Sequence, residues 1–381
     1  GFAFALFYAV MAVPLGRMAD TINRRSVIIV GVALWTLATA ACGMARTFVQ
    51  LFAARLMVGA GEATLIPAGF SMLTDLYPRG QVTRAISILT GASFVGTGIA
   101  LFGGGYLIAA LNDIGPVSIP LVGDLKPWQM AFVIAAAPGF VLLALMFTVR
   151  EPARRESPAV PPAGKHPSLR DVYAFAQSRA GALGTIYLGC TILAAVQFGI
   201  GAWIPSLFIR TYQWTAADIG QAYGPIVLVG GFLGVVIGGW ASDALMARGR
   251  ADANMRVALY SALAAVPLVI AFPLVGNPYA SLAILAPLCV IGSMPFGAGT
   301  AAIPLIAPNR MRAQLVAVYM LFANLIGQGC GPWLIALATD YLFGDPMLVR
   351  YSIALVGAAL SVIAAATIAA GLPALRRAIA T

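Results

Sequence analysis

The sequence predicts an all-α membrane protein built as two halves of six helices, and three observations predict it. The 381 residues are 61% hydrophobic and only 9% charged, with a mean hydropathy of +0.91, whereas soluble domains are about 25% charged. Eleven apolar runs reach the roughly 20 residues that a bilayer core demands. They lie near 1–15, 26–45, 48–77, 84–111, 128–149, 180–209, 216–245, 255–275, 279–305, 312–341 and 348–372. Finally, the two halves echo one another. Gly16-Arg17-Met18-Ala19-Asp20 before Asn23-Arg24-Arg25 returns as Gly239-Trp240-Ala241-Ser242-Asp243 before Arg248-Gly249-Arg250. Likewise Arg84-Ala85, Phe94 and Gly103 return as Arg312-Ala313, Phe322 and Gly331.

The first run is short and opens at Gly1. Six spans per half then imply one further helix ahead of it, twelve in all. The expected division is an N-terminal half at 1–149 with spans two to six, a linker at 150–178, and a C-terminal half at 179–381 with spans seven to twelve.

The third run carries two charges where charge is expensive: Arg55 and Glu62. Seven residues at 100° each bring the second to within about 20° of the first, and at 1.5 Å per residue they lie about 10 Å apart along the axis. Gly59, Ile66 and Gly69 continue the same stripe. A mid-bilayer charge costs about 2.5–3.5 kcal/mol on insertion scales and faces a bundle interior or a watery cavity, marking a transport pathway. The alternative is an ion pair that only staples helices together. Because burial favours the neutral carboxyl and a nearby cation the charged one, the state of Glu62 should follow its neighbour, Arg55 or a substrate group.

Glycines mark close helix approaches. Gly230, Gly234 and Gly238 repeat every four residues on the seventh run, Gly327 and Gly331 on the tenth, and Gly91, Gly96, Gly98 and Gly103 stud the fourth. Gln197 on the sixth run, with Asn324 and Gln328 on one face of the tenth, are candidates to line a polar cavity or to hydrogen-bond across helices. Between 150 and 170 the chain turns polar and Pro-rich. Ser168 can cap a short amphipathic helix there, with Leu169, Val172, Tyr173 and Ala176 on one face. His166, the sole histidine, is read as solvated.

The formal charge of +10 is a topology signal. If the loop holding Arg24 and Arg25 is cytoplasmic, that side collects eighteen Lys and Arg and the opposite side four, Arg55 being the remainder, as the positive-inside rule requires. This sets nucleic acid aside and puts loop 16–25, linker 150–178 and the C-terminus in the cytoplasm of a bacterial inner-membrane protein. Cys42, Cys190, Cys289 and Cys330 sit in separate apolar runs, so neither metal site nor disulfide framework is indicated. The pair Gly164-Lys165 is followed by His166 and preceded by Ala159 where a phosphate-binding loop needs glycine. No cofactor and no enzymatic chemistry are expected.

The stretch Gly16-Arg17-Met18-Ala19-Asp20-Thr21-Ile22-Asn23-Arg24-Arg25 resembles the G-x-L-x-D-r-x-G-r-r signature of the major facilitator superfamily, with Asn23 in place of the usual glycine. More narrowly, Ala54-Arg55, Gly59-Ala60-Gly61-Glu62-Ala63 and Gly201-Ala202-Trp203-Ile204-Pro205 resemble the spinster branch, whose animal members export sphingosine phosphate or lysolipids. The resemblance implies the major facilitator fold and a fourth helix that lines the central cavity. It also implies proton coupling and head-group contact for Arg55 and Glu62, and a cytoplasmic gate of Gly16, Asp20, Arg24, Arg25 and Asp243. The functional expectation is therefore a monomeric, proton-coupled secondary transporter of an amphipathic lipid-like anion, surrounded by membrane lipids and working by alternating access. Its alternatives are a symporter of small soluble organic anions and a membrane scaffold or receptor.

Overall fold

In a computed structural model of the chain, residues 11, 14, 15, 18, 22–77, 79–119, 123–153, 169–308 and 311–380 are described. Among them ten helical stretches are long and apolar enough to cross a membrane. They coincide with the second to eleventh apolar runs; the run at 1–15 lies outside the described residues but for three positions. Contacts divide the chain into two compact units, one of residues 1–89 with 103–163 and one of residues 90–102 with 164–381.

In the first unit, α1 spans Arg24–Met44, and the Asn23 side chain accepts the Ser26 N–H at its start. Helix α2, Phe48–Glu62, begins in a reciprocal capping box of Thr47 and Gln50. It stops at Glu62, and α3 resumes over Leu65–Leu76. The sequence predicts one unbroken helix here. Pro67, at the third position of α3, has no N–H to offer the Ala63 carbonyl, and the Thr64 hydroxyl donates to the Gly61 carbonyl at 2.8 Å. The turn is thereby satisfied locally.

Helices α1 and α2 cross at Gly31 and Gly61, where a Cβ on Gly61 would come within 2.7 Å of the Trp35 nitrogen and 2.8 Å of the Gly31 carbonyl oxygen. Val27, Ile28, Val32, Ala68 and Met72 fill one side of this crossing. Ala38, Cys42, Ala54 and Val58 fill the other. Helix α4, Arg79–Ile114, leads into a two-stranded antiparallel hairpin, β1 Val117–Ile119 with β2 Gly123–Leu125. This small sheet departs from the all-helical expectation and occupies the loop before α5, Pro127–Met146.

The second unit opens with the short helix α6, Leu169–Ser178. Its proposed cap, Ser168, and the histidine His166 lie outside the described residues. Val172 is buried, with Phe175 and Ala176 against the same core, while Tyr173 is 64% exposed. The expected face is thus corrected by one position, since Tyr173 stands 100° from Val172 and Phe175 only about 60° from it.

Six spans follow: α7 Ala180–Tyr212; α8 Ala216–Ile226 continuing into α9 Phe232–Ala247; α10 Ala253–Leu274; α11 Pro278–Ile306; α12 Arg312–Phe322 with α13 Gly329–Leu337; and α14 Val349–Ala380. Wider π turns at Val227–Gly231, Ala323–Gln328 and Ala338–Phe343 interrupt the α geometry. The glycine rows do bring backbones together. A Cβ on Gly234 would lie 2.8 Å from that of Ser293, one on Gly238 2.8 Å from the Met294 Cα, and one on Gly327 2.8 Å from the Ala194 Cβ. Residues 90–102 of α4 pack within this unit, where a Cβ on Gly98 would meet the Leu228 Cα at 2.8 Å.

Candidate functional site

Arg55 lies midway along α2, and Glu62 is its last residue. Every other charged residue of the ten spans lies within four positions of a span end. Both side chains are half-buried while Gly59 between them is buried. Ile66 falls beyond the break, in the first turn of α3. At a helix C-terminus, where the backbone dipole is negative, an ionised carboxylate gains nothing from the helix. Arg55 is the one cation within the same helix. The Gly31–Gly61 crossing beside Glu62 fixes the backbone at this point.

A second ionic cluster holds one end of the unit. Arg24 is 1% exposed. Its Nε donates to Glu151 Oε1 at 2.8 Å, its Nη1 to Asp75 and to Ser71 Oγ at 3.1 Å, and its Nη2 to the Pro152 carbonyl at 3.0 Å. The Arg25 backbone N–H donates to Glu151 Oε2 at 2.8 Å, and its guanidinium to the Met146 and Phe147 carbonyls. Burial acts to raise the Glu151 pKa, but hydrogen bonds from the Arg24 side chain and the Arg25 backbone outweigh it and hold the carboxyl below the usual range. Asp75 and Glu151 were not singled out in the sequence. The available signal was that Asp75 lies in the last turn of α3 and Glu151 five residues past α5, on the side where Arg24 begins α1. Gly16 and Asp20 lie outside the described residues.

At the matching place in the second unit the signs are reversed. Asp252, 2% exposed, precedes α10 and receives Arg256 Nε at 2.7 Å, while Arg376 Nε of α14 stands 3.1 Å from its other oxygen. Asp243 is exposed near the end of α9. Gln197 lines a cavity of about 30 Å³ inside the second unit together with Tyr223, Ser261, Cys289 and Ser361. The buried Ser261 hydroxyl has no protein partner there, and such a space takes about one or two waters. Asn324 and Gln328 lie on the π turn at Ala323–Gln328. The Asn324 amide is spent on the Met320 carbonyl of its own helix, at 2.9 Å.

Ten apolar spans among the described residues, with two half-buried charges in the interior of one of them, define a multi-pass membrane carrier. The chain belongs to the Major Facilitator Superfamily, whose sequence profile matches residues 1–332. It is similar to an MFS-type efflux pump of Mycolicibacterium smegmatis, 26% identical over 91% of this chain and 76% of that one. It is also similar to the protein spinster of Drosophila melanogaster, 25% identical over 64% of this chain and only 39% of the spinster protein. In fold it resembles the crystal structure of a bacterial homolog to the human lysosomal transporter Spinster, in an inward-facing and unoccupied conformation. The TM-score is 0.74 at 24% identity, over 100% of this chain and 88% of the other.

Proposed function

We propose that the protein is a proton-coupled secondary transporter of an amphipathic, lipid-like anion, with Arg55 gripping the anionic head group and Glu62 carrying the proton. The observation that carries this reading is Arg55 and Glu62 themselves: two half-buried charges on one helix in mid-span, beside a break in that helix. In one state Glu62 is ionised and balanced by Arg55. When an anionic head group takes Arg55, the carboxyl loses its counter-charge and binds a proton, and the site becomes neutral enough to reorient. Alternating access between two halves then moves substrate and proton past the same point. The lipid-like substrate class rests on the resemblance of 54–63 and 201–205 to the spinster branch. The monomer is the working unit in a bacterial inner membrane, with loop 16–25, linker 150–178 and the C-terminus on the cytoplasmic side.

The test uses the purified protein in liposomes. Glu62→Gln, a stand-in for the protonated carboxyl, should abolish transport driven by a pH gradient while retaining substrate binding, and Arg55→Ala should lose both. Lysolipids should compete for uptake and small soluble carboxylates should not. If Glu62→Gln still concentrates substrate at the wild-type rate, the carboxyl is structural and the proton travels elsewhere; competition by soluble anions alone would move the substrate to that class.

A further inference from the structure

At the end of the second unit opposite the Asp252 cluster, Trp214, Asp218, Gln221, Ala222 and Tyr279 line an open pocket of about 490 Å³. We infer that this pocket binds a quaternary ammonium group, and the inference stands apart from the proposed transport site. Trp214 and Tyr279 pack edge to face into one aromatic wall, their ring centroids 5.6 Å apart and their planes at 64°. Both rings are braced. Trp214 leans on Phe208 at 5.3 Å, and the Tyr279 backbone N–H is tied to Asn277 Oδ1 at 2.8 Å at the head of α11.

Asp218 supplies the charge. Its Oδ2 accepts the Thr215 backbone N–H at 2.9 Å and the Thr215 hydroxyl at 2.6 Å, so the carboxylate is fixed at the first turn of α8. The cation nearest in sequence, Arg210, is engaged by other partners: its guanidinium stacks 5.6 Å over Trp203 and donates to the Pro346 carbonyl at 3.0 Å. An aromatic wall and one carboxylate, with no cation among the lining residues, attract a positive charge. The aromatic wall favours a soft, methylated cation over a metal ion, which would require a cage of oxygens. The volume exceeds a trimethylammonium, leaving room for the remainder of a choline-like molecule or of a lipid head group.

The experiment measures choline binding by calorimetry to the full chain in phosphatidylglycerol nanodiscs, against 3,3-dimethylbutanol, which has the same shape without the charge. Choline should bind saturably and about tenfold or more tightly than the neutral isostere. Tyr279→Leu and Asp218→Asn should each weaken it by about tenfold, and Tyr279→Phe should leave it within about twofold. Tyr279 is 72% exposed, so its replacement should leave the unfolding temperature unchanged and the loss readable as binding. Repeating the titration in phosphatidylcholine nanodiscs identifies the natural source: a fall in choline affinity assigns the group to membrane lipid, an unchanged affinity to a free molecule. Equal binding of choline and its isostere, no saturable binding, or a Tyr279→Leu variant with wild-type affinity overturns the inference, and the two rings then serve only to anchor helix ends at the membrane surface.

Discussion

Replacing Arg24 by Met removes the charge from the most fully buried cation described while keeping most of its volume. Five hydrogen bonds are lost, two of them to carboxylates. A hydrogen bond to a charged group contributes about 1.5–3 kcal/mol, giving roughly 3–6 kcal/mol for the two ionic partners. The partners recover part of this by hydration, Glu151 more than Asp75, their side chains being 23% and 14% exposed. About 3–5 kcal/mol should remain, in line with breaking a buried ion pair from one side. The assay is equilibrium unfolding in mixed micelles, extended to Arg24→Met with Asp75→Asn and Glu151→Gln. The triple variant should regain most of the loss, because the cost lies in stranded carboxylates. A single variant less than about 1 kcal/mol below wild type, or a triple variant as unstable as the single one, would refute the reasoning.

Acid should find the same cluster. The Glu151 pKa is depressed in the folded state, so its contribution is present above the unfolded value of about 4.3 and is lost as pH falls through the folded one. Unfolding midpoints should therefore drop below about pH 4, and Glu151→Gln should flatten that part of the profile. At the helix crossing, Gly61→Ala places a methyl 2.7 Å from the Trp35 nitrogen and 2.8 Å from the Gly31 carbonyl. Backbone cannot give way as a side-chain tip does, so thermal unfolding should show a loss of about 1–3 kcal/mol; a neutral result would mean that the crossing is loose.

Composition and run length disclosed the spans, because a bilayer sets one length and one chemistry for every helix that crosses it. Arg55 and Glu62 stood out for the same reason. The break after Glu62 was less legible. Pro67 gives a local sign of it, but prolines at 138, 205 and 267 sit within continuous helices, and only the Thr64 hydroxyl on the Gly61 carbonyl shows how this turn is satisfied. The Arg24 cluster was illegible in another way: Asp75 and Glu151 are 51 and 127 residues distant, and no periodicity links positions that only folding joins. Asn324 shares a face with Gln328 by helical arithmetic, yet its amide turns back to the Met320 carbonyl, and sequence spacing says nothing of a rotamer.

The opposite signs at the heads of α1 and α10 bear on how far the echo between the two halves of the sequence extends. Arg24 sits between two acids, Asp252 between two arginines. Copying either centre alone into the other helix head would seat arginine beside Arg256 and Arg376, or aspartate beside Asp75 and Glu151, adding a buried like charge in each case. The two helix heads therefore carry ion clusters of inverted polarity. A chain in which these two helix heads are exchanged should keep its stability only when each three-residue set moves as a block.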